Sequence, residues 1–188
     1  MNRKFLIVIT GLPCTGKTVI GERVSKELSV PYLYKDGIKE LLFDGLGWSD
    51  RSWSKALSAV SYRILFHFAE VLMRAGVDFL LEGNFDPVSQ GFYLAELQQA
   101  YGYQTVQIQC VSDGQVLIER YMKRWESGKR HPGHVDDLAL DELREKLLLG
   151  KTEPLPISGH YLEVDTTDFE NIDIEWVISQ LKAWIMQH

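Results

Sequence analysis

Apolar residues follow two rhythms along this chain. Phe5 to Ile9 is an unbroken apolar run with the length and β-branched content of a strand buried on both faces. A glycine-containing interruption, Gly11 to Gly16, comes next, and Lys17 to Leu28 then reads as a helix. Val30 to Lys35 predicts a second strand and Ile38 to Phe43 a short helix. Gly45 to Asp50 breaks the pattern, and Ser52 or a near neighbour is placed to cap the next helix. From Trp53 to Arg74, Leu57, Val60, Ile64, Leu65, Phe68, Val71 and Leu72 recur at helical spacing.

Gly76 ends that helix, and Val77 to Leu81 predicts another buried strand. Val88 to Tyr101 reads as helix, and Tyr103 to Val111 as a strand with Val106, Ile108 and Cys110 on one side. A helix from about Asp113 to Glu126 is basic at its far end, and Ser127 to His134 is a polar breaker. Leu138 to Leu149 predicts a helix, Pro154 to Pro156 a loop, Tyr161 to Val164 a last strand and Ile172 to Met186 a closing helix. Strands that alternate with helices predict an α/β domain, a five-stranded parallel sheet with helices on both faces. One domain over residues 1–188 is expected.

Composition narrows the class. A chain of 188 residues buries roughly 70% of its unfolded surface, so it needs no metal or disulfide to fold. The 20 basic and 26 acidic side chains leave a net charge of −6, which disfavours nucleic acid as a partner. The two cysteines, Cys14 and Cys110, lie far apart, consistent with a reducing compartment. The first apolar run is shorter than the roughly 7–15 residues of a signal segment. No stretch is expected to approach the ~20 apolar residues of a membrane span. The expectation is a cytoplasmic protein with no membrane partner.

Gly11-Leu12-Pro13-Cys14-Thr15-Gly16-Lys17-Thr18 matches the GxxxxGK[ST] phosphate loop at every specified position, between a strand and a helix. Glycines let successive N–H groups curl around phosphate oxygens, and the helix adds its positive end. Lys17 is expected on the β- and γ-phosphates and Thr18 on Mg²⁺. Cys14 sits where a helix N-terminus lowers a thiol pKa.

Other candidates are positional. Asp36 follows the second strand, as a proton acceptor or a ligand of Mg²⁺ through water, or as a plain helix cap. Lys39, one turn on, would orient Asp36 or a substrate anion. Glu82 and Asn84 follow the third strand in the crevice where such folds bind ligands; Glu82 is placed to hold the metal's water or to orient the acceptor, with a solvated strand-end acid as the alternative. Arg120, Arg124 and Arg130 suit a lid over residues 120–140, or simply a basic helix end. His131 and His134 lack a nearby third ligand for zinc and read as lid residues; Trp48 and Trp53 flank a loop and read as core aromatics, with the lining of a substrate pocket as the alternative.

With these residues in view, the chain resembles the small P-loop kinases, including the nucleoside-monophosphate, shikimate and gluconate kinases, the chloramphenicol phosphotransferase group, and kinase-like proteins labelled AAA-family ATPases. The resemblance implies a P-loop NTPase fold with strand order 2-3-1-4-5 and a small helical lid. It implies ATP and Mg²⁺, with Gly11, Pro13, Cys14, Thr15, Gly16, Lys17 and Thr18 on the phosphates and Asp165, Thr166 and Thr167 beside adenine. Lys17, Asp36, Arg120, Arg124 and Arg130 become the catalytic set, Thr18 and Asp36 the metal set, and Asp36, Lys39, Glu82 and Asn84 the acceptor set. Lys39 stands where some relatives place arginine, and Glu82 is not the aspartate of a standard Walker B strand. No NKxD guanine motif is present. The expected activity is transfer of the γ-phosphoryl group to a hydroxyl of a small molecule. A polynucleotide 5′-hydroxyl kinase and a non-catalytic ATP-binding regulator remain the alternatives.

Overall fold

A computed structural model describes residues 4–186. Five parallel strands form one sheet: β1 (Phe5–Gly11), β2 (Tyr32–Tyr34), β3 (Phe79–Glu82), β4 (Gln104–Val111) and β5 (His160–Asp165), in the order β2-β3-β1-β4-β5. The expected sheet and strand order are both present. Every residue of β1 is buried, which is why its apolar run shows no alternation.

Alternate β1 side chains feed two cores. Phe5, Ile7 and Ile9 meet Ile20 and Val24 of α1 (Lys17–Leu28) and Val177, Ile178 and Leu181 of α7 (Ile174–Met186). Leu6 and Val8 meet Leu65, Phe66 and Ala69 of α3 (Arg51–Arg74) and Leu94 and Leu97 of α4 (Phe92–Tyr101). A third cluster joins Leu117, Ile118 and Tyr121 of α5 (Gly114–Glu126) to Ala139 and Leu147 of α6 (Asp136–Leu148), with Leu12 beneath. After β1 the chain turns to one face of the sheet, and after its neighbour β3 to the other. The crevice between their carboxyl ends is where such sheets bind ligands.

Several boundaries differ from expectation for local reasons. The second strand is only Tyr32–Tyr34, because α2 (Lys35–Leu46) begins at once and takes Lys35 and Asp36 into its first turn. The cap expected at Ser52 or a near neighbour is Asp50, which accepts from the Trp53 N–H at 2.8 Å and starts α3 at Arg51. Asp86 caps a wide turn at Pro87–Gly91 before α4, which shortens the helix expected from Val88. Trp48 and Trp53 are exposed rather than core residues; the Trp53 indole donates to the Gly47 carbonyl, which holds it at the surface.

The expectation about membrane-length stretches also needs correction. An 18-residue window of α3 has mean hydropathy 1.3, enough by length and composition to cross a bilayer. A core helix meets the same criterion, and Leu57, Leu65, Ala69 and Met73 of α3 are buried.

Candidate active site

The phosphate loop joins β1 to α1. Gly11 and Gly16 have φ of 144° and 75°, and a Cβ on either would strike the Cys110 carbonyl or the Phe169 ring. Both glycines are therefore required by the path of the loop. With Gly16 at the N-cap no side-chain oxygen takes the free N–H groups of the first turn of α1, so they stay open to an anion. Lys17 is buried, its Nζ donating to the Leu12 carbonyl at 2.7 Å and to Thr15 Oγ1 at 3.4 Å. Burial lowers its pKa while Glu82 and Asp36 hold the charge.

The loop cysteine departs from expectation. Burial pushes the Cys14 thiol pKa up, against the pull of Arg124, Lys17 and Arg130, so the thiol is not activated.

Pairing of β1 with β3 places Glu82 beside the loop. Glu82 Oε1 accepts from Thr18 Oγ1 at 3.3 Å, and Oε2 from the Tyr32 hydroxyl. The carboxylate is buried, not a solvated strand end, and burial raises its pKa against Lys17. A hydroxyl and a carboxylate at the mouth of the loop form a hard-oxygen donor set suited to Mg²⁺. Together with the open N–H groups and Lys17, they fit a magnesium-bound triphosphate.

Asp36 lines the same cleft as Thr18 and Glu82 but pairs directly with two cations. Its Oδ1 accepts from Lys35 at 3.1 Å and its Oδ2 from Arg130 at 2.7 Å. Thr18 therefore meets Glu82, not Asp36. Asp36 is not the N-cap of α2 either, which excludes the bland reading. Burial favours its neutral form, but Lys35, Arg130 and His134 outweigh that and hold its pKa well below the usual carboxylate range. The side chain keeps 36% of its surface open, toward the same cleft.

The three arginines separate. Arg130 forks onto Asp136 at 2.8 and 2.9 Å while reaching Asp36, tying the segment before α6 to the start of α2. Arg124 stacks over Tyr121 and keeps Nε and Nη2 buried without hydrogen-bond partners. Arg120 is engaged differently: its guanidinium donates to the Thr166 and Thr167 carbonyls at 2.7 and 3.0 Å and lies over the Phe169 ring. These bonds pull it to the turn after β5 rather than into one cationic face with Arg124.

Thr166 is buried, and Asp165 accepts from the Thr167 N–H at 2.8 Å, which shapes that turn. His134 bonds Glu40 at 2.9 Å, His131 lies 3.3 Å from Asp44, and both rings pack on Phe43.

A cleft of about 630 Å³ collects these groups: Pro13, Cys14, Gly16, Lys17, Thr18, Asp36, Lys39, Glu82, Asn84 and the three arginines all line it. Asp165, Thr166 and Thr167 are not in its lining, and Phe169 is. Lys35, Arg51, Ser58, Tyr62 and Asp136 line it as well, and sequence reasoning does not single them out. Lys35 falls at the end of the strand expected over Val30 to Lys35, and Arg51 and Tyr62 depend on how α3 lies across the sheet.

With the loop, the crevice and the strand order established, comparison with known proteins decides the lineage. A family described as AAA domain matches residues 6–148. The chain belongs to this family. Among solved structures, a putative kinase from Chloroflexus aurantiacus is 37% identical, over 98% of this chain and 99% of that one, with a TM-score of 0.91. An APS kinase from Mycobacterium tuberculosis, solved with AMPPNP and APS, has a TM-score of 0.59 at 18% identity, covering all of both chains. A shikimate kinase from Bacteroides thetaiotaomicron has a TM-score of 0.51 at 18% identity, over 95% and 97% of the two chains. These last two share the fold. No curated protein sequence matches significantly. The protein is an AAA-domain P-loop protein of kinase-like architecture.

Proposed function

We propose that this AAA-domain protein is an ATP-dependent phosphotransferase that acts on a hydroxyl of a small molecule in the cytoplasm. The observation that carries this reading is the joint placement of Lys17, Thr18, Glu82 and Asp36 on one cleft of about 630 Å³. A pocket of that size, walled by α2, α3 and α5, suits a nucleotide and a compact acceptor. Likeness to kinases across nearly the whole chain supports it.

The central strand β1 divides the roles. Toward β4 and β5, Phe169 borders the nucleotide base, and Arg120 lies over its ring while anchored on the Thr166 and Thr167 carbonyls. Toward β3 and β2, Asn84, Asp36 and Lys39 face the acceptor. Lys17 and the loop N–H groups hold the β- and γ-phosphates. Thr18 and Glu82 hold Mg²⁺, which neutralises phosphate charge when bound.

The acceptor oxygen forms a bond to the γ-phosphorus as the bond to the β,γ-bridging oxygen breaks, and ADP leaves with that electron pair. Asp36 orients the hydroxyl and takes its proton, while Arg124 and Arg130 balance charge on the moving phosphoryl group. With its low pKa Asp36 is ionised at any working pH. It is a weak base, suited to accepting a proton late, when the hydroxyl has become acidic. Positioning and charge neutralisation thus supply most of the acceleration.

Phosphate transfer from ATP to a panel of small alcohols, followed by ³¹P NMR, tests the reading. A new phosphate ester and stoichiometric ADP are expected. ATP binding with no ester formed from any alcohol would favour a regulator, and labelling of oligonucleotide 5′ ends would favour a polynucleotide kinase.

A further inference from the structure

The acceptor end of the cleft holds more positive charge than phosphoryl transfer requires. Seven lysine and arginine side chains line the whole cleft against three carboxylates, in a protein whose net charge is −6. A magnesium-bound triphosphate, at about two net negative charges, would offset half of that excess. The remainder gathers where α2 meets α3.

Lys39 is 4% exposed, and among the described residues no carboxylate lies within ion-pair distance of it. Its Nζ donates to Ser54 Oγ at 2.9 Å and faces the Phe43 ring at 5.2 Å. Lys35 is 7% exposed, and its partner Asp36 is already held by Arg130. Arg51 spends one end on Glu142 at 3.0 Å and keeps Nε buried without a hydrogen-bond partner. A buried cation without a counter-ion is costly unless a ligand supplies the missing charge. Burial and the neighbouring Lys35, Arg130 and Arg51 press the Lys39 pKa down to about 7, the mark of a site short of negative charge.

We propose that the acceptor is an anionic alcohol, carrying a phosphate or carboxylate besides the hydroxyl that reacts, and that Lys39, Lys35 and Arg51 bind that anion. This rests on the phosphotransferase reading and specifies its substrate class. The anionic group undergoes no chemistry; it anchors the molecule so that its hydroxyl lies between Asp36 and the γ-phosphate. Binding energy from a remote group is thereby used for orientation at the reacting one.

The test loads the protein with Mg²⁺ and a non-hydrolysable ATP analogue, which fills the phosphate loop through the γ position. Inorganic phosphate is then titrated calorimetrically as a probe of the acceptor end. Saturable phosphate binding is expected, weakened about tenfold or more by Lys39→Met and by Arg51→Gln and restored by Lys39→Arg, with analogue affinity unchanged throughout. Analogue binding without phosphate binding, or phosphate binding indifferent to Lys39 and Arg51, would overturn the anionic acceptor and leave the kinase reading standing. Failure to bind the analogue at all would instead remove the kinase reading, and this inference with it. A matched panel of glycerol, glycerate and glycerol 3-phosphate then compares turnover. Preference for the charged members is expected, and phosphorylation of glycerol alone would refute the proposal.

Discussion

Lys39 offers a quantitative check on the electrostatics of the acceptor end. Its pKa falls from an ordinary 10.5 to about 7 on folding, because burial and nearby cations disfavour the ammonium. Between these values the unfolded chain binds more protons than the native one, so native stability rises with pH across that window. At 1.36 kcal/mol per pKa unit, the full penalty below pH 7 is about 5 kcal/mol. By pH 9 it has fallen to about 2 kcal/mol, since the native lysine is neutral and the unfolded one still charged. Lys39→Met keeps the length of the side chain and removes the ionisation. The variant should therefore be more stable than the parent at pH 6, and the gap should narrow by roughly 2–3 kcal/mol by pH 9. Loss of the Ser54 hydrogen bond shifts both values about equally. Urea denaturation of the two proteins at pH 6 and pH 9 reads the gap directly. A gap that is the same at both pH values would refute the claim that Lys39 is a buried, uncompensated cation.

Other substitutions probe the loop and the core. Glu82→Gln keeps the shape but removes the charge that faces Thr18, so the Mg²⁺ concentration for half-maximal turnover should rise about 10–100-fold; an unchanged magnesium titration would contradict the donor set. Gly16→Ala forces an alanine to φ near 75° and drives its Cβ into Phe169. It should cost roughly 1–3 kcal/mol and weaken nucleotide binding in a fluorescence titration, whereas wild-type affinity would show that the loop path is not fixed there. Leu65, fully buried between α3 and the sheet, should cost roughly 3–5 kcal/mol as alanine in chemical denaturation. A loss under 1 kcal/mol would mean that α3 is not packed as described.

The fold was legible where local pattern and tertiary outcome agree. The β1 run and the phosphate loop announce themselves within a few residues; α3 forms as the helix expected, but Val60, Phe68 and Val71 of its expected stripe are exposed, and Ser54, Ser61, Phe66, Ala69 and Met73 are buried beside Leu57 and Leu65 instead. The site was legible only as far as the loop. Thr18 meeting Glu82, and Glu82 meeting Tyr32, depend on β3 lying between β1 and β2, and no local spacing encodes that. Arg120 and Arg124 share a helical spacing yet part company, because the turn after β5 offers carbonyls to one and not the other. Lys35 passes as a strand residue because β2 is short and α2 starts without a side-chain cap, leaving no signal at the boundary. Trp48 and Trp53 look like core residues by size alone; the Gly47 carbonyl and the cap at Asp50 decide otherwise.

On the phosphotransferase reading, the cleft transfers phosphate and does not merely bind nucleotide. The most direct measurement follows label from [γ-³²P]ATP into a small-molecule extract, with the parent protein and Lys17→Ala side by side. An alkaline-stable organic phosphate is expected from the parent, with a rate at least about 10³-fold lower for the variant and its unfolding transition preserved. Label that stays in ATP or appears only as inorganic phosphate, or a variant as active as the parent, would contradict that reading.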